Sequence, residues 1–271
     1  MNTTWSPRTR RLQARAFTLI ELLSTVAIIG VLAALLLTAI VSARAKAKGI
    51  VCLKNVRQMG LGITQFTTEH GEYPLGLNRG RSEGKNPEHR AGWMVSVQFQ
   101  IEPGFIPIPG TDWMSSGIWD CPATAKPDYW PRSLGYIEYG YNANGLGVGT
   151  NGTTIGIGGT FNAMAPNTSP PVKEDEVVNP SGTLAAGDGF TGWNGVVEDG
   201  HWSMSRWPLA EETLGSTQRS QRRHKARANV VFCDGHAESL TLKTLFTDTS
   251  DEALRLWNRD GLPHRERLKE P

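Results

Sequence analysis

The sequence predicts an α+β protein in which one long N-terminal helix packs, by its second half, against an antiparallel β-sheet with long loops. An uncharged run of 20 residues, 22–41, and the apolar residues that recur at steps of three or four over residues 52–66 predict the helix. Beyond residue 71 the helical periodicity disappears, glycine and proline become frequent, and an Asp-Gly pair separates two apolar segments near the C-terminus. This change of pattern predicts the sheet.

The chain opens with a basic leader, residues 1–16, that contains four arginines and no acidic residue. The chain beyond the leader contains the other 24 lysines and arginines and all 26 acidic residues. Its net charge is therefore −2, compared with +2 for the whole chain. This near balance gives no reason to expect nucleic acid as a partner. By the positive-inside rule, a basic leader before an apolar span predicts a cytoplasmic N-terminus and a C-terminal domain across the membrane.

The apolar span has one acidic residue near its start, Glu21. A 20-residue helix, at ~1.5 Å per residue, crosses the roughly 30 Å hydrocarbon core of a bilayer. A carboxylate there is costly, which marks Glu21 as a candidate functional residue, although in a plain anchor it would only reach the headgroups. A cleaved secretory signal ending at Ala43-Arg44-Ala45 is a further alternative, but the apolar run exceeds the roughly 7–15 residues of such signals.

The predicted helix runs without interruption from about Phe17 to about Thr68, because no proline falls in this range. Gly49, Gly60 and Gly62 are expected to weaken it, each by about 1 kcal/mol relative to alanine. The helix is expected to end near Gly71, before Pro74. The residues of its second half that we expect to face the protein core are Cys52, Val56, Met59, Ile63 and Phe66.

The remaining elements are predicted from short apolar segments between glycine and proline residues. Asp234 and Gly235 fit a tight turn between two strands of a hairpin, because Asp-Gly tolerates the positive φ angles of such turns. The strands of this hairpin are predicted at residues 229–233 and 236–242, other strands at 93–100, 136–141 and 183–187, a short helix at 249–258, and a solvated tail after it.

The residues around the start of the span read AFTLIELL, with Ala16 before Phe17 and a glutamate as the fifth residue from Phe17. This pattern resembles the leader and helix of type IV prepilins and type II secretion pseudopilins, which usually have glycine where this chain has Ala16. The resemblance implies that a prepilin peptidase cuts after Ala16 and that the new N-terminus, Phe17, is methylated. It also implies that Glu21 pairs with the Phe17 ammonium group of a neighbouring subunit.

The rest of the chain is similar to a branch of the same superfamily, the DUF1559-type proteins with a C-terminal H-x9-DG signature. Here His224 is followed, after nine residues, by Asp234 and Gly235. Three further segments, CLKNVRQMGLGITQFTTEHGEYP, WDCPA and VVNPSGTLAAGDG, share in this resemblance. We therefore expect a pilin-like protein with four regions: the leader at 1–16, the transmembrane and stalk helix at 17–70, a periplasmic β-rich domain at 71–246, and a short helix and tail at 247–271.

The function implied by the resemblance is structural. The protein would be a pseudopilin-like or minor pilin subunit of a type II secretion or type IV pilus-like filament, and not an enzyme. Its partners would be the prepilin peptidase, other pilin subunits, the inner-membrane assembly platform and the membrane itself. It would cross the bacterial inner membrane once, with its C-terminal domain in the periplasm or on a surface filament, and would need no cofactor.

The resemblance also implies a disulfide between Cys52 and Cys121, because both positions lie in segments that carry it. Such a bond would close a loop of about 70 residues and contribute about 4 kcal/mol on the chain-entropy model. Three reduced and buried cysteines, with Cys233 as the third, are the alternative. The chain has no C-x-x-C spacing, which removes the simplest sequence signal for zinc.

We expect His224 to bond a loop or a carboxylate such as Asp188 and to hold the hairpin on the sheet. Calcium at Asp188 or Asp234 is an alternative, since calcium prefers oxygen ligands. A membrane-anchored hydrolase would need His224, Asp188 and His201 to converge in an open cleft. A carbohydrate-binding or adhesin module would need exposed, coplanar tryptophans, and the candidates are Trp113, Trp119, Trp130, Trp193, Trp202 and Trp207.

Overall fold

The computed structural model describes residues 18–76, 92–105, 117–124, 138–147, 154–158, 170–193, 196–199, 205–206 and 223–268. For the described residues between 191 and 206, it describes the backbone and not the side chains. The predicted cleavage residues, Ala16 and Phe17, lie outside these ranges. Contacts divide the chain into two units, with the boundary between Arg44 and Ala45.

The first element is helix α1, Leu19–His70, which has 52 residues and covers nearly the whole predicted range. Every described side chain from Thr18 to Arg44 is exposed, although most of them are apolar. This part of α1 is long and apolar enough to cross a membrane. A helix that is apolar on all sides and is not packed against other residues of its unit requires lipid or other helices around it.

From residue 45 onward, α1 is amphipathic, and all five residues predicted to face the core are buried. Gly60 and Gly62 are also buried and lie on the same side of α1 as these five residues. A methyl group added to Gly60 would collide with the side chain of Val231, and one added to Gly62 would lie 2.9 Å from Val97. These glycines therefore let the helix approach its neighbours closely, a role that the prediction of simple weakening did not include.

Residues 93–100 were predicted as a strand, and this prediction was wrong, because the segment forms helix α2, Trp93–Ile101. Its buried residues include Trp93, Met94 and Val97, which lie on one face of a helix. Alternation of apolar and polar residues suggested a strand, but Val95 and Phe99 are only half-buried. Packing against α1 determines the structure of this short segment.

The main sheet has four strands in the order β1-β2-β6-β7, and every neighbouring pair is antiparallel. This confirms the α+β prediction. Strands β1 and β2 coincide with two predicted strands: β1 ends at residue 141 as predicted, and β2 begins and ends one residue later than predicted. The strands are β1, Tyr139–Tyr141; β2, Leu184–Asp188; β6, Arg227–Phe232; and β7, Ala237–Thr241.

A second sheet has three short strands in the order β4-β3-β5. Strand β3, Phe190–Trp193, follows β2 after one residue and pairs with β4, Val196–Asp199, in antiparallel orientation. Its other neighbour, β5, Ser205–Arg206, is parallel to it. The sequence pattern did not indicate this sheet.

The β6–β7 hairpin confirms the turn predicted at Asp234-Gly235, but with a longer loop. The backbone N–H of Phe232 donates to the carbonyl of His236, and that of Gly235 donates to the carbonyl of Phe232. Only Gly235 of these residues has a positive φ, 88°. Cys233 therefore lies in a three-residue loop and not, as predicted, at the end of the strand.

The main sheet separates two apolar clusters. One lies against α1 and α2 and includes Met59, Ile63 and Val231. The other includes Phe232 and is covered by two short helices, α3, Leu242–Phe246, and α4, Asp251–Arg255. A single helix at 249–258 was predicted.

The predicted solvated tail is also corrected. Residues Arg265–Leu268 form a 3-10 turn, and Leu268 packs against the second apolar cluster. The guanidinium group of Arg265 contacts the Asp251 carboxylate at 2.6 Å. These contacts dock the segment onto the domain, because apolar burial outweighs the polar composition of the sequence around it.

Candidate functional sites

The first candidate site is the start of α1. The carboxylate of Glu21 accepts hydrogen bonds from the backbone N–H of Thr18 at 2.9 Å and from its hydroxyl group at 2.8 Å. In return, the Thr18 hydroxyl oxygen accepts from the backbone N–H of Glu21 at 3.3 Å. This reciprocal pattern is a capping box, which satisfies backbone donors that the first helical turn leaves free.

The capping box gives Glu21 a local role in addition to the predicted one. Its carboxylate lies over the N-terminal end of the helix, where the helix dipole favours negative charge. The side chain is exposed in its own unit, so it remains accessible to a partner. The start of α1 therefore presents an accessible carboxylate three residues after Thr18.

The second candidate site is a buried cluster around Asp188, at the end of β2. One carboxylate oxygen accepts from the Arg223 guanidinium group at 2.7 Å, and the other accepts from the backbone N–H of Asn229 at 2.7 Å. The Nε2 atom of His224 lies 3.4 Å from that second oxygen. Burial alone would raise the pKa of the Asp188 carboxyl, but the Arg223 charge and the His224 hydrogen bond outweigh it, and the pKa is lowered.

Arg223 is almost fully buried, which is unusual for an arginine. Besides Asp188, its guanidinium group donates to the backbone carbonyl of Glu138 at 2.7 Å. The guanidinium carbon also lies 5.2 Å from the ring centre of Phe190 and 5.8 Å from that of Tyr139. Two acceptors and two aromatic faces compensate the loss of hydration.

His224 links the Asp188 cluster to α1. Its Nε2 atom lies 3.5 Å from the sulfur of Cys121, which is bonded to Cys52 of α1 in a disulfide. This is the cysteine pair that the resemblance implied. The backbone N–H of Cys121 donates to the buried Glu138 carboxylate. The His224 side chain, only 6 % exposed, therefore lies between a disulfide and a buried carboxylate.

The backbone turns sharply at this point. His224, Lys225 and Ala226 have φ angles of 49°, 58° and 59°, in the left-handed region that non-glycine residues rarely adopt. Each such residue costs on the order of 1–3 kcal/mol, so the surrounding contacts must hold the turn in place. This turn brings the Arg223 and His224 side chains to Asp188.

The two parts of the H-x9-DG signature have separate environments. His224 contacts Asp188 and Cys121, in agreement with the expectation that it bonds a carboxylate. Asp234 instead pairs with His236 at 2.6 Å, and the His236 ring stacks on that of Phe232 with centres 4.3 Å apart. The signature therefore supports two distinct local structures, the left-handed turn and the hairpin loop.

Sequence reasoning missed three members of the cluster: Arg223, Glu138 and Asn229. The available signal for Arg223 was its position directly before His224 in a basic segment, and that pattern is also typical of a solvated surface. Glu138 and Asn229 carry no local signal, because their partners are far away in the sequence. The contacts of Arg223 with Glu138 and Asp188 span 85 and 35 residues.

The geometry gives little support to the alternative functions. Asp188 and His224 do converge, but the Asp188 side chain is fully buried and bonded to Arg223, so this pair does not line an open cleft. His201, the third hydrolase candidate, lies outside the described residues. Both Asp188 oxygens already accept from N–H donors, which is a poor environment for calcium.

Trp119 does not fit a carbohydrate-binding surface. It is 2 % exposed, and its indole N–H donates to the side-chain carbonyl of Gln98 at 2.7 Å. Its ring also contacts that of the buried Trp93. The other candidate side chains lie outside the described residues: Trp113, Trp130, Trp193, Trp202 and Trp207.

Residues 11–37 match the family model described as the prokaryotic N-terminal methylation motif. No curated protein and no solved structure matches the chain. The matched range includes the leader end, the predicted cleavage site and Glu21. The chain therefore carries a prepilin-type N-terminus, and its apolar helix fits a protein anchored by one membrane span.

Proposed function

We propose that the protein is a pseudopilin-like or minor pilin subunit of a type II secretion or type IV pilus-like filament. A prepilin peptidase cuts it after Ala16, and it assembles through its N-terminal helix. The match of residues 11–37 to the methylation motif is the observation that carries this proposal. The role is structural, so the protein is a substrate of the processing enzyme and has no catalytic activity of its own.

The exposed part of α1 supports assembly through this helix. Its apolar residues occupy all sides, so it can be covered by lipid before assembly and by the helices of other subunits afterwards. Exchange of lipid for other helices costs little hydrophobic free energy, since both environments are apolar. Helix packing and specific polar contacts then determine how the subunits are arranged, and Glu21 is the acidic side chain available for such a contact.

Cleavage creates a new partner for Glu21. It exposes an ammonium group at Phe17, one residue before the Thr18 cap. An opposite charge at ~4 Å contributes roughly 4 kcal/mol at an effective dielectric constant of 20, before desolvation is subtracted. In the single subunit, Thr18 hydrogen bonds stabilise the carboxylate. In the filament, we propose that Glu21 pairs with the Phe17 ammonium group of a neighbour, which favours one axial position for each added subunit.

The C-terminal domain is proposed to be of the H-x9-DG class and to lie in the periplasm or on the filament. Its partners are other pilin subunits and the inner-membrane assembly platform. The disulfide between Cys52 and Cys121 supports such a location. A cross-linked domain of this kind is typical of compartments that permit disulfides.

Intact-mass analysis of the protein from the membranes of a bacterium that contains a prepilin peptidase tests the proposal. We expect a chain that begins at methylated Phe17. The same host without the peptidase is the control and should give a chain that begins at Met1. An Ala16→Leu variant, which places a large side chain at the cut, should also keep its leader.

Two results would contradict the proposed function. A chain that still begins at Met1 beside active peptidase would leave a plain anchor. A chain that begins after residue 45 would be a secreted protein without the helix needed for assembly.

A further inference from the structure

Three potential ligand atoms meet where His224 approaches the disulfide. The two sulfurs of Cys52 and Cys121 and a ring nitrogen of His224 lie within 4.8 Å of one another. A carboxylate oxygen of Asp188 lies 3.4 Å from His224 Nε2. Two sulfurs and one imidazole nitrogen form a donor set typical of zinc.

We propose that, when the Cys52–Cys121 disulfide is reduced, Cys52, Cys121 and His224 bind one Zn²⁺ ion as the three protein ligands of a tetrahedral site. The cysteine pair thus has two alternative states, a disulfide or a metal thiolate centre. Both states hold α1 to the segment around Cys121 and to the turn that carries His224. The inference is independent of the proposed filament function.

The distances between donor atoms fit this geometry. With Zn–S and Zn–N bonds of roughly 2.3 and 2.05 Å, a tetrahedral site has an S···N distance of roughly 3.6 Å. The structure has 3.5 Å between Cys121 Sγ and His224 Nε2. In the metal-bound state the sulfurs would lie roughly 3.8 Å apart, so reduction must let them separate.

The charges and the surrounding contacts also suit zinc. Two thiolates balance the charge of the ion, while Asp188 and Arg223 balance each other. The Arg223 guanidinium group and the backbone N–H of Asn229 hold the Asp188 carboxylate, and metal sites commonly need such supporting contacts. The side chains of Cys52, Cys121 and His224 are buried or nearly so, as the ligands of zinc sites in proteins usually are.

The sequence could not reveal this site, because its ligands do not follow a short spacing. Cys52 and Cys121 are 69 residues apart, and Cys121 and His224 are 103 apart. The left-handed turn at His224 brings the last ligand back to the others. Three consecutive strained residues are a reason to expect that the position of His224 matters.

The two states interconvert by a balanced exchange. A dithiol reductant transfers two electrons and two protons to the disulfide, which becomes two thiols, and the reductant becomes a disulfide. Zn²⁺ then displaces the two thiol protons into solvent and binds both thiolates. A newly made chain also begins with two thiols and can bind zinc before an oxidant closes the disulfide.

Cobalt titration of the full chain in detergent micelles tests the inference. The protein is reduced anaerobically with a phosphine, which is removed before Co²⁺ and then Zn²⁺ are added. We expect one Co²⁺ per chain, with the thiolate charge-transfer absorption and intense visible bands of a tetrahedral site, and displacement by Zn²⁺. The oxidised protein should show none of these bands.

Variants identify the ligands. Cys52→Ser and Cys121→Ser should each abolish the tetrahedral spectrum, and His224→Gln should weaken Zn²⁺ binding at least about tenfold. Cys233→Ser is the matched control and should bind as the wild type does. This third cysteine is buried in the hairpin loop, and burial raises the pKa of its thiol to about 12, so it is a poor ligand.

Three results would overturn the inference. The first is a reduced wild-type protein with native circular dichroism that gives no tetrahedral cobalt spectrum. The second is a spectrum that persists when both Cys52 and Cys121 are replaced, or that disappears in Cys233→Ser. The third is a reduced chain that has lost its circular dichroism and does not regain it when Zn²⁺ is added, whereas recovery of the signal would support the site.

Discussion

At the scale of single residues, the Asp188 carboxylate organises the interior next to α1. It accepts from Arg223, from the backbone of Asn229 and from His224, and none of these groups is well hydrated. A buried ion pair contributes little net stability compared with a well-packed apolar pair. Loss of one partner is much more costly, because the other charge then stays buried without compensation.

We therefore predict that Arg223→Met lowers the free energy of unfolding by about 3–5 kcal/mol, since it leaves the Asp188 charge unpaired. Arg227→Met is the control, because Arg227 is an exposed arginine on the same segment and should change the free energy by less than about 1 kcal/mol. Denaturant unfolding of the full chain in detergent measures both. Equal effects of the two substitutions would contradict this account of the cluster.

The lowered pKa of Asp188 predicts how stability depends on pH. Because the folded-state pKa lies below the usual value of about 4, the unfolded chain binds a proton at higher pH than the folded chain does. The contribution of Asp188 is thus fully present above about pH 4 and is lost as the pH falls through the lower folded value.

In the Asp188→Asn variant, this acid-induced step in the free energy of unfolding should disappear. The exposed Asp175→Asn variant should keep it, because its carboxylate lies at the surface, away from the cluster. Unfolding curves measured between pH 7 and the acid limit of the wild type compare the two variants. If the step survives in Asp188→Asn, another group is responsible.

Only part of this site could be predicted from the sequence. We expected His224 to bond a loop or a carboxylate such as Asp188, and the structure has the contact with Asp188. Arg223 and Glu138 were missed, since a lone charge in a sequence looks the same whether it is solvated or buried. They are buried because β1, β2 and the turn at His224 lie next to one another in the fold. No short sequence motif indicates that these distant segments are neighbours.

At the scale of elements, the contact between α1 and the main sheet depends on glycine. Gly60 lies directly against Val231 of β6, while Gly49 has space for a methyl group, with His224 Nδ1 3.6 Å from its position. Both glycines lie in the same helix, so alanine has the same intrinsic advantage of about 1 kcal/mol at either site. The difference between the two changes in the free energy of unfolding therefore reports on side-chain packing alone.

Gly49→Ala should stabilise the protein by about 0.5–1 kcal/mol, whereas Gly60→Ala should destabilise it by about 1–3 kcal/mol because of overpacking. Thermal unfolding of the two variants, compared with the wild type, gives the sign of each change. A stabilising Gly60→Ala would mean that β6 moves away from the helix at little cost.

Elements with a strong local signal were predicted well, and elements determined by packing were not. The buried stripe of α1 has the clear period of a helix, and Asp-Gly marks the hairpin loop. Residues 93–101 alternate in polarity and also fit a helix, and only their contact with α1 decides between the two. The two-residue strand β5 is too short to leave any pattern in the sequence.

At the scale of the whole molecule, the exposed apolar part of α1 and its single acidic side chain are the features most directly tied to the proposed filament. If Glu21 pairs with a neighbouring ammonium group, loss of its charge should prevent assembly without affecting cleavage. The Thr18 cap provides a second test, because it supports the same carboxylate within one chain.

We predict that Glu21→Gln is still cut after Ala16 but is at least about tenfold depleted from the sheared filament fraction, as expected when more than about 1.4 kcal/mol is lost per contact. Thr18→Val keeps the carboxylate and should remain within about twofold of the wild type. Quantitative blotting of cell and filament fractions measures this ratio. Normal assembly of Glu21→Gln would contradict the pairing and leave apolar packing as the sole contact.

The disulfide has a consequence for how the chain can diversify. Cys52 and Cys121 close a covalent ring around the residues between them, so a nick anywhere in that interval leaves both pieces joined to the anchor. Insertions or substitutions there cannot detach the domain from its helix. The sequence between the two cysteines can therefore change without loss of the domain from the membrane. Natural variants or engineered tags in this interval would be displayed on a domain that stays attached to its helix.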